Sequence, residues 1–315
     1  MEKSFFVGVD IGGTKVAAGL VNGVGEISSQ ARVPMVSTSS ADDGLRAVLA
    51  AIAKVIPDRG GQVAGIGICA PGPLDPKTGI ILNPPNVPCW RNFPLAESVQ
   101  ELHSVPVKVD NDANAAALAE ARWGAARGYK QVFYATIGTG IGTGIVFDGT
   151  IYHGRTGSAG EGGHVSVDYH GPLCRCGKPG CIEILASGTA ITQRARDRVS
   201  AGEKSCMLEL PGGSINAITG EVIAQASAAG DPLAKEILVE ASEMLAVWLS
   251  NMIDLLDPDV IVIGGGAAAL YQPFFDQIRA RVAKITLNPR AMEVPIVPAR
   301  YGADSGIAGG AALCA

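Results

Sequence analysis

The chain has 315 residues, of which 47% are hydrophobic and 17% are charged. This composition excludes global disorder, and the length suffices for two packed domains or one large one. The formal charge is −5 and no long basic run is present, which disfavours nucleic acid as a partner. No segment approaches the ~18 uninterrupted apolar residues of a membrane span. Asp10 cuts short the apolar stretch of a candidate signal peptide, so we expect a cytoplasmic protein with no membrane partner.

Hydrophobic patterning predicts strands that alternate with helices, which is typical of an α/β protein with a mainly parallel sheet. The predicted strands are Phe5–Asp10, Lys15–Val21, Gly65–Cys69, Val105–Val109 and Asp259–Ile263. The predicted helices are Ala41–Ile56, Ala113–Gly124, a segment from Ala186 to Ser200, Asn216–Ala229, Pro232–Leu256 and Ser305–Leu313.

An internal repeat is visible when the sequence is shifted by 126 residues. The shift lays Val9–Gly23 over Ala135–Gly149, so that both segments run strand, glycine-rich turn, strand, hairpin turn. Chance similarity between two glycine-rich hairpins is the alternative explanation. A true repeat predicts two similar domains that face each other across a cleft, each contributing a glycine loop suited to a nucleotide's phosphates.

Three glycine-rich turns are candidate phosphate-binding loops: residues 10–15, 138–144 and 264–266. Phosphate oxygens need close backbone N–H groups, which side chains would obstruct. Asp10 adds a carboxylate suited to the hydration shell of Mg²⁺, and Thr14 adds a hydroxyl donor. The first two loops lead into strands, so neither is a dinucleotide fingerprint or a Walker loop. An ordinary tight hairpin is the alternative for each loop taken alone.

Four residues have the spacing of a zinc knuckle, H-x9-C-x-C-x4-C: His164, Cys174, Cys176 and Cys181. Closely spaced thiols in a reducing compartment are metal ligands more often than disulfides. One nitrogen and three sulfurs complete a tetrahedral Zn²⁺ and leave no position for a reactive water, so the predicted zinc is structural. Unmetallated surface thiols are the alternative.

Two carboxylates flank the predicted knuckle. Glu161 precedes His164 by three residues, and Glu183 follows Cys181 by two. A metal that fixes the knuckle also fixes the backbone that carries both carboxylates, which suits them to bind sugar hydroxyls. The alternative is that both are residues around the metal site or on the surface.

Asp112 is the candidate general base. It follows a predicted strand and precedes the predicted helix Ala113–Gly124. Either Asn111 or Asp112 would also make a good helix N-cap, which is the alternative role. Because α/β folds gather ligands at the carboxyl ends of strands, a carboxylate here is placed to accept the proton of a hydroxyl that attacks a phosphoryl group.

The ensemble of motifs resembles the ROK family of repressors, unidentified reading frames and sugar kinases, in particular its bacterial glucokinases. The resemblance covers essentially the whole chain. The matching segments are DIGGTK at 10–15, CAPGPLD at 69–75, NPPNVPCW at 83–90, VDNDANAAALAE at 109–120, IGTGIGTGIV at 137–146, GEGGH at 160–164, CRCGKPGCIE at 174–183 and IGGG at 263–266.

The resemblance implies an actin-like ATPase (ribonuclease H-like) fold, with two α/β domains around a cleft and a zinc knuckle. The expected domains are 1–112 plus 303–315, and 113–302. The implied activity is transfer of the γ-phosphoryl of ATP, with Mg²⁺, to the 6-hydroxyl of a hexose, with glucose as the expected substrate. A homodimer or homotetramer is also implied.

Matching the motifs residue by residue implies the roles of individual positions. The implied base is Asp112. The implied sugar contacts are Asn86, Asn111, Asp112, Glu161, His164 and Glu183. The implied phosphate, magnesium and nucleotide contacts are Asp10, Gly12, Gly13, Thr14, Lys15, Gly138, Thr139, Gly140 and Gly265. His164 is implied to serve both the zinc and the sugar.

Several alternatives stay open at the level of sequence. N-acetylmannosamine, fructose or mannose are alternative substrates, and polyphosphate is an alternative donor. A sugar-sensing protein without turnover and a zinc-knuckle interaction module are the alternatives from other classes. ROK repressors carry a helix-turn-helix before the first glycine loop, whereas nine residues precede Asp10 here, so a DNA-binding regulator is not expected.

Overall fold

The computed structural model describes residues 4–56, 63–210 and 212–315. Its strands are β1 (Phe5–Ile11), β2 (Lys15–Asn22), β3 (Ile27–Pro34), β4 (Val63–Ala70), β5 (Leu74–Asp75), β6 (Ile80–Ile81), β7 (Phe93–Pro94), β8 (Val107–Asn111), β9 (Gln131–Ile137), β10 (Ile141–Phe147), β11 (Thr150–Ile151), β12 (Val260–Gly264) and β13 (Ile296–Pro298). Its α-helices are α1 (Ala41–Val55), α2 (Leu95–Gln100), α3 (Asp112–Arg122), α4 (Ile182–Ala186), α5 (Gly188–Ser200), α6 (Gly220–Ala228), α7 (Pro232–Leu256), α8 (Phe275–Ile285) and α9 (Ser305–Cys314).

The first large sheet has the strand order β3-β2-β1-β4-β8. Strands β1, β2 and β3 pair antiparallel because short turns join them, whereas β1, β4 and β8 pair parallel across longer connections that contain helices. The sheet is therefore mixed, and the expectation of a mainly parallel sheet was wrong at this edge. The parallel register pairs Asp10 with Cys69 and Cys69 with Asp110, so three strands end at the same edge.

The second large sheet repeats this arrangement, with the order β11-β10-β9-β12-β13. Strands β10 and β11 pair antiparallel, as β2 and β3 do in the first sheet. Strands β12 and β13 pair parallel, as β4 and β8 do. Adding 126 to the bounds of β1 gives the bounds of β9, and adding 126 to the first residue of β2 gives the first residue of β10. The internal repeat is thereby confirmed.

Helix capping explains where the predicted helix bounds agree with the structure and where they do not. Helix α7 has the predicted bounds because the Asp231 side chain accepts the N–H of Ala234 at its start and Asp257 adopts the left-handed conformation at its end. The helix predicted from Ala186 begins instead at Gly188. Ser187 caps it by accepting the N–H of Ala190, which separates α5 from the short helix α4.

The packing of the chain divides it into two compact units. The first comprises Met1–Tyr134, Gly144–Gly160 and Ala299–Ala315, and the second comprises Ala135–Thr143 and Glu161–Pro298. The expected division, 1–112 plus 303–315 against 113–302, stays a prediction, and its residues 1–3, 57–62 and 211 lie outside the described part of the chain. In the first unit, α1 packs against the sheet through the fully buried Val48 and Ile52.

Among the described residues, no helix combines the length and the apolar run that crossing a membrane requires.

Candidate active site and metal centre

The carboxyl ends of β1 and β8 carry the candidate acidic residues of the first unit. Asp10 is next to last in β1, and Asn111 is the last residue of β8. Asp112 follows at once as the first residue of α3. This strand-to-helix junction is where α/β sheets commonly hold ligands, because strand ends and helix N-termini meet there.

The two candidate capping residues have different roles. The side-chain oxygen of Asn111 accepts the N–H groups of Ala113 and Asn114, at 2.9 and 3.4 Å, so Asn111 is the N-cap of α3. Its amide nitrogen points elsewhere, 3.7 Å from where a Cβ on Gly72 would lie. Asp112 is exposed in the first turn of the helix, where one carboxylate oxygen accepts the N–H of Ala113 at 2.8 Å. Helix capping therefore does not account for Asp112.

Asp10 is a buried carboxyl with a perturbed pKa. Burial, and then the negative charge of Asp112, raise the pKa of Asp10 from 3.8 to about 6, while Lys15 acts in the opposite direction. The negative charge of Asp112 therefore acts on the Asp10 carboxyl. Two carboxylates that raise each other's free energy are stabilised when a cation binds between or beside them.

The first glycine loop lies against the segment that carries Asn86. The loop is a tight turn in which the N–H of Gly12 donates to the carbonyl of Lys15 at 3.0 Å. A Cβ added at Gly13 would lie 3.1 Å from the backbone oxygen of Asn86. The first unit therefore brings together the predicted positions Asp10, Gly13, Lys15, Asn86 and the 111–112 pair.

In the second unit, the glycine loop after β9 borders a cavity of about 840 Å³. The loop is tied to its neighbours because Gly138 accepts the N–H of Gly188 at 2.8 Å and Ile137 accepts the N–H of Ala267 at 2.8 Å. Gly265, at φ 89°, packs against the end of β9. The cavity is lined by Gly138, Thr139, Gly188, Thr189, Thr192, Gln193, Arg196, Thr219, Gly220, Glu221, Ala224, Gly266, Ala267, Ala269 and Leu270.

The cavity walls were missed by the sequence reasoning. They come from the N-terminal parts of α5 and α6, and two capping residues, Ser187 and Thr219, mark where those helices begin. Two helix starts beside a glycine loop turn the positive ends of two helix dipoles toward the cavity, which favours an anion there. The two capping residues could have indicated where the helices begin, but no local pattern in the sequence indicates that helices about 30 residues apart line the same cavity.

Glu183 is held by the second glycine loop. Its Oε2 accepts the N–H of Ile141 at 3.0 Å, and a Cβ at Gly140 would lie 2.4 Å from the same oxygen. A side chain at position 140 would therefore push the carboxylate away from its present position on the loop. This contact links the helix that follows the knuckle to the predicted phosphate loop, and Glu183 is half-buried.

His164, Cys174, Cys176 and Cys181 form one cluster whose ligand atoms all lie within 4.8 Å of one another. Cys174 Sγ is 3.6 Å from His164 Nδ1, and Cys176 Sγ is 3.5 Å from Cys181 Sγ. Ligand atoms around a tetrahedral zinc lie about 3.6–3.8 Å apart when Zn–S is about 2.3 Å and Zn–N about 2.0–2.1 Å. The donor set and its spacing therefore fit zinc, as predicted.

The backbone around the cluster favours this geometry. Gly177 and Gly180 adopt positive φ values of 91° and 59°, which close the knuckle. The backbone N–H of Lys178 is the first cause that lowers the pKa of Cys176, which favours the thiolate that a metal requires.

The imidazole of His164 has a defined orientation, which the sequence could not give. Its Nδ1 is on the cluster side, so Nε2 is the nitrogen that points away from the cysteines. The turn that carries it, Gly162–His164, is fixed on two sides. The N–H of Gly162 donates to the Thr143 hydroxyl, and the carbonyl of Gly162 accepts from Nε1 of the buried Trp248, both at 3.0 Å. Glu161 is exposed at the start of this turn.

The class of protein is defined by these features: two mixed sheets of like topology, glycine loops at strand ends, and a His/Cys₃ knuckle. The model of the ROK family matches residues 6–315. A ROK family glucokinase from Streptomyces griseus, crystallised with glucose and AMPPNP, is 36% identical, with a TM-score of 0.82 over 98% of this chain and 99% of that one. This likeness confirms the predicted actin-like α/β fold.

Curated relatives align over the full length. A glucokinase of Thermotoga maritima is 32% identical over 313 residues, which are 99% of this chain and 98% of the relative. An N-acetylmannosamine kinase of Salmonella typhi is 30% identical over 305 residues, 97% and 96% of the two chains. The chain belongs to the ROK family, and its full-length relatives in that family include sugar kinases.

Proposed function

We propose that this chain transfers the γ-phosphoryl group of ATP to the 6-hydroxyl of a hexose, with glucose as substrate and Asp112 as general base. The Asp112 carboxylate takes the proton of the hydroxyl as that oxygen forms a bond to the γ-phosphorus. The bond from the γ-phosphorus to the bridging oxygen of ADP breaks, and ADP and the hexose 6-phosphate leave. Most of the rate acceleration comes from positioning and from neutralising phosphate charge.

The observation that carries the proposal is the state of Asp112. Its neighbour Asn111 caps α3, and the carboxylate of Asp112 is exposed in the first turn of that helix, where its charge acts on the buried carboxyl of Asp10. A carboxylate at the carboxyl end of a parallel strand, in a family of sugar kinases, is suited to accept the proton of a substrate hydroxyl.

We propose Asn86, Asn111, Asp112, Glu161, His164 and Glu183 as the hexose contacts. Carboxylates and imidazole accept hydrogen bonds from sugar hydroxyls, and the amides donate and accept. The fixed turn at 162–164 and the anchored Glu183 support this assignment, because a binding group is effective when its own position is held by neighbours. For His164 we assign Nε2 to the sugar, since Nδ1 faces the cysteines.

We propose the cavity of the second unit as the nucleotide site. Ala224, Ala269 and Leu270 offer apolar surface to a base, and Thr139 and Gln193 offer hydrogen-bonding groups. The glycine loop at 138–140 would meet the phosphates, and Gly265 would lie on the nucleotide side. We assign Gly12, Gly13, Thr14 and Lys15 to the phosphates as well.

Two metals belong to the proposal. Mg²⁺ would be held beside Asp10, and when bound it neutralises charge on the transferring phosphates. Zn²⁺ would be held by His164, Cys174, Cys176 and Cys181, and its role is structural because four protein ligands leave no open position. The chain itself would work in the cytoplasm as a homodimer or homotetramer, which light scattering of the purified protein measures.

Several alternatives remain within and beyond this function. The N-acetylmannosamine kinase relative is nearly as similar as the glucokinases, so that amino sugar, fructose and mannose belong in the same test. Polyphosphate is the alternative donor, and a sugar sensor without turnover is the alternative class. The cavity favours ATP, because a polyphosphate chain has no base to occupy an apolar pocket of this size.

The proposal is tested by measuring product formation across a panel of hexoses with ATP and with polyphosphate as donors. We expect the highest kcat/KM for glucose with Mg·ATP. In parallel, Ala224→Phe should narrow the nucleotide cavity and raise KM for ATP at least about tenfold, with KM for glucose unchanged. Preference for an amino sugar would correct the substrate, and binding of glucose without any product would favour the sensor.

A further inference from the structure

A buried acidic residue lies directly beside the proposed base. Asp110 is 4% exposed and its carboxylate has three partners in the first unit. Its Oδ1 accepts the N–H of Asn111 at 2.7 Å and the Nδ2 of Asn114 at 3.1 Å. Its Oδ2 lies 2.7 Å from Nε2 of His153. Asp110 thereby holds the backbone N–H of the residue before Asp112 and the side-chain amide of Asn114, one turn into α3.

His153 reaches Asp110 from a segment distant in sequence. It follows β11, and its carbonyl accepts the N–H of Ala159 at 3.1 Å, which folds residues 153–159 into a compact loop. That loop packs on the turn after β5, since a Cβ at Gly157 would lie 3.1 Å from Pro76. The chain then continues directly to Glu161, a proposed sugar contact. The His153–Asp110 pair is thus the link between this loop and the β8–α3 junction.

We propose that His153 is a positioning residue for Asp112, acting through Asp110 to hold the start of α3 in its catalytic arrangement. This role rests on the proposed kinase function. Because the carboxylate of Asp110 is buried, it needs a donor on each oxygen, and loss of the His153 donor leaves Oδ2 without its partner. Asp110 would then relax toward another donor and displace the N–H of Asn111 and with it the residue that follows.

The charge state of His153 adds a pH dependence to this contact. The hydrogen bond to Asp110 raises the pKa of His153, while burial and then the charge of Lys77, on the turn between β5 and β6, act in the opposite direction. Asp110 on β8 and Lys77 are the charged groups that act on this imidazole. The charged pair is complete below the ordinary histidine pKa of about 6.5 and is lost as the pH rises through the raised value.

The experiment compares His153→Leu and His153→Gln with His103→Gln as the matched control, because His103 lies in the same unit and has no carboxylate partner in the part of the chain that the structure describes. Leu removes the donor, so kcat with glucose should fall roughly 10–100-fold with KM for ATP unchanged. Gln keeps a neutral donor, so kcat should stay within about threefold of wild type. The control should behave as wild type.

A pH profile of kcat from about pH 6 to pH 9 separates positioning from a general loss of fold. Wild type should lose at most about threefold on the basic side, as the charge-assisted bond from protonated His153 becomes a bond from the neutral imidazole, and it should there approach the rate of His153→Gln, whose amide does not titrate. If His153→Leu fails to fold, the Gln profile alone decides. A wild-type profile shared by His153→Gln, or full activity of His153→Leu, would overturn the role of His153 while leaving the kinase function intact. A wild-type chain without turnover would overturn both.

Discussion

Replacing Asp112 with Asn tests the proposed base with the smallest possible structural change. The amide keeps an oxygen that accepts the N–H of Ala113, and Asn111 still caps α3. The variant loses only the negative charge and the capacity to take a proton. We expect folding and glucose binding to be retained, and kcat to fall by about 10²–10⁴, the usual range for loss of a general base.

The size of the stability change follows from two opposing effects in the structure. Loss of a negative charge in the first turn of α3 costs about 0.3–1 kcal/mol in the free energy of unfolding. Against this, Asp112 raises the pKa of Asp10, so removing its charge relieves part of that repulsion. The net change is below about 1 kcal/mol, whereas a kcat loss of 10²–10⁴ raises the activation barrier by about 2.7–5.4 kcal/mol.

The assay is steady-state kinetics with glucose and Mg·ATP, together with a thermal melt of each protein. Glu97→Gln is the matched control, because Glu97 is also an exposed acid in the first turn of a helix of the same unit. It should lose a similar helix-terminal charge and no activity. Turnover of Asp112→Asn at the wild-type rate would refute the assignment of the base.

Three further predictions follow from the site. Asp10→Asn should raise the free energy of unfolding at pH 8 by about 1–3 kcal/mol, because a pKa of about 6 makes the buried carboxylate costly at that pH. The gain should vanish below about pH 4, where the carboxyl of Asp10 is protonated in both the folded and the unfolded state. Denaturant melts at several pH values measure this change in the free energy of unfolding. Gly140→Ala should displace Glu183 and raise KM for glucose roughly tenfold in steady-state kinetics. Cys176→Ser should release zinc, measured as metal content per chain, and lower the melting temperature.

Each of these has a matched control in the same chain. Asp42→Asn changes an exposed acid of α1 and should leave the pH dependence of stability as in wild type. Gly23→Ala adds a methyl group where no atom lies within 4 Å and should leave KM unchanged. Cys89→Ser removes a thiol outside the cluster and should keep the zinc. Equal effects in variant and control, or active wild-type protein without zinc, would contradict the corresponding argument.

Local signals allowed much of the fold to be predicted. Asp231 and Pro232 mark the start of α7, and hydrophobic spacing carries it to Leu256, so both bounds were predicted correctly. The repeat predicted β9 and β10 from β1 and β2. The His/Cys cluster was predictable for the same reason, because three of its members lie within eight residues and their spacing alone limits how they can fold.

The features that the sequence did not predict depend on contacts between residues far apart in the chain. His153 and Asp110 are 43 residues apart, and neither has a local pattern that indicates the other. The hydrogen bond from Ile141 to Glu183 spans 42 residues. The cavity of the second unit likewise depends on how α5 and α6 pack, which side-chain periodicity within each helix does not determine.

The most direct measurement is ³¹P NMR of the purified protein incubated with glucose and Mg·ATP, with Asp112→Asn alongside. Our account predicts that wild type converts ATP to ADP and forms glucose 6-phosphate in equal amounts, while the variant forms at most about 1% as much of either over the same period. Persistence of the ATP signals with wild-type protein, or equal product from both proteins, would contradict it.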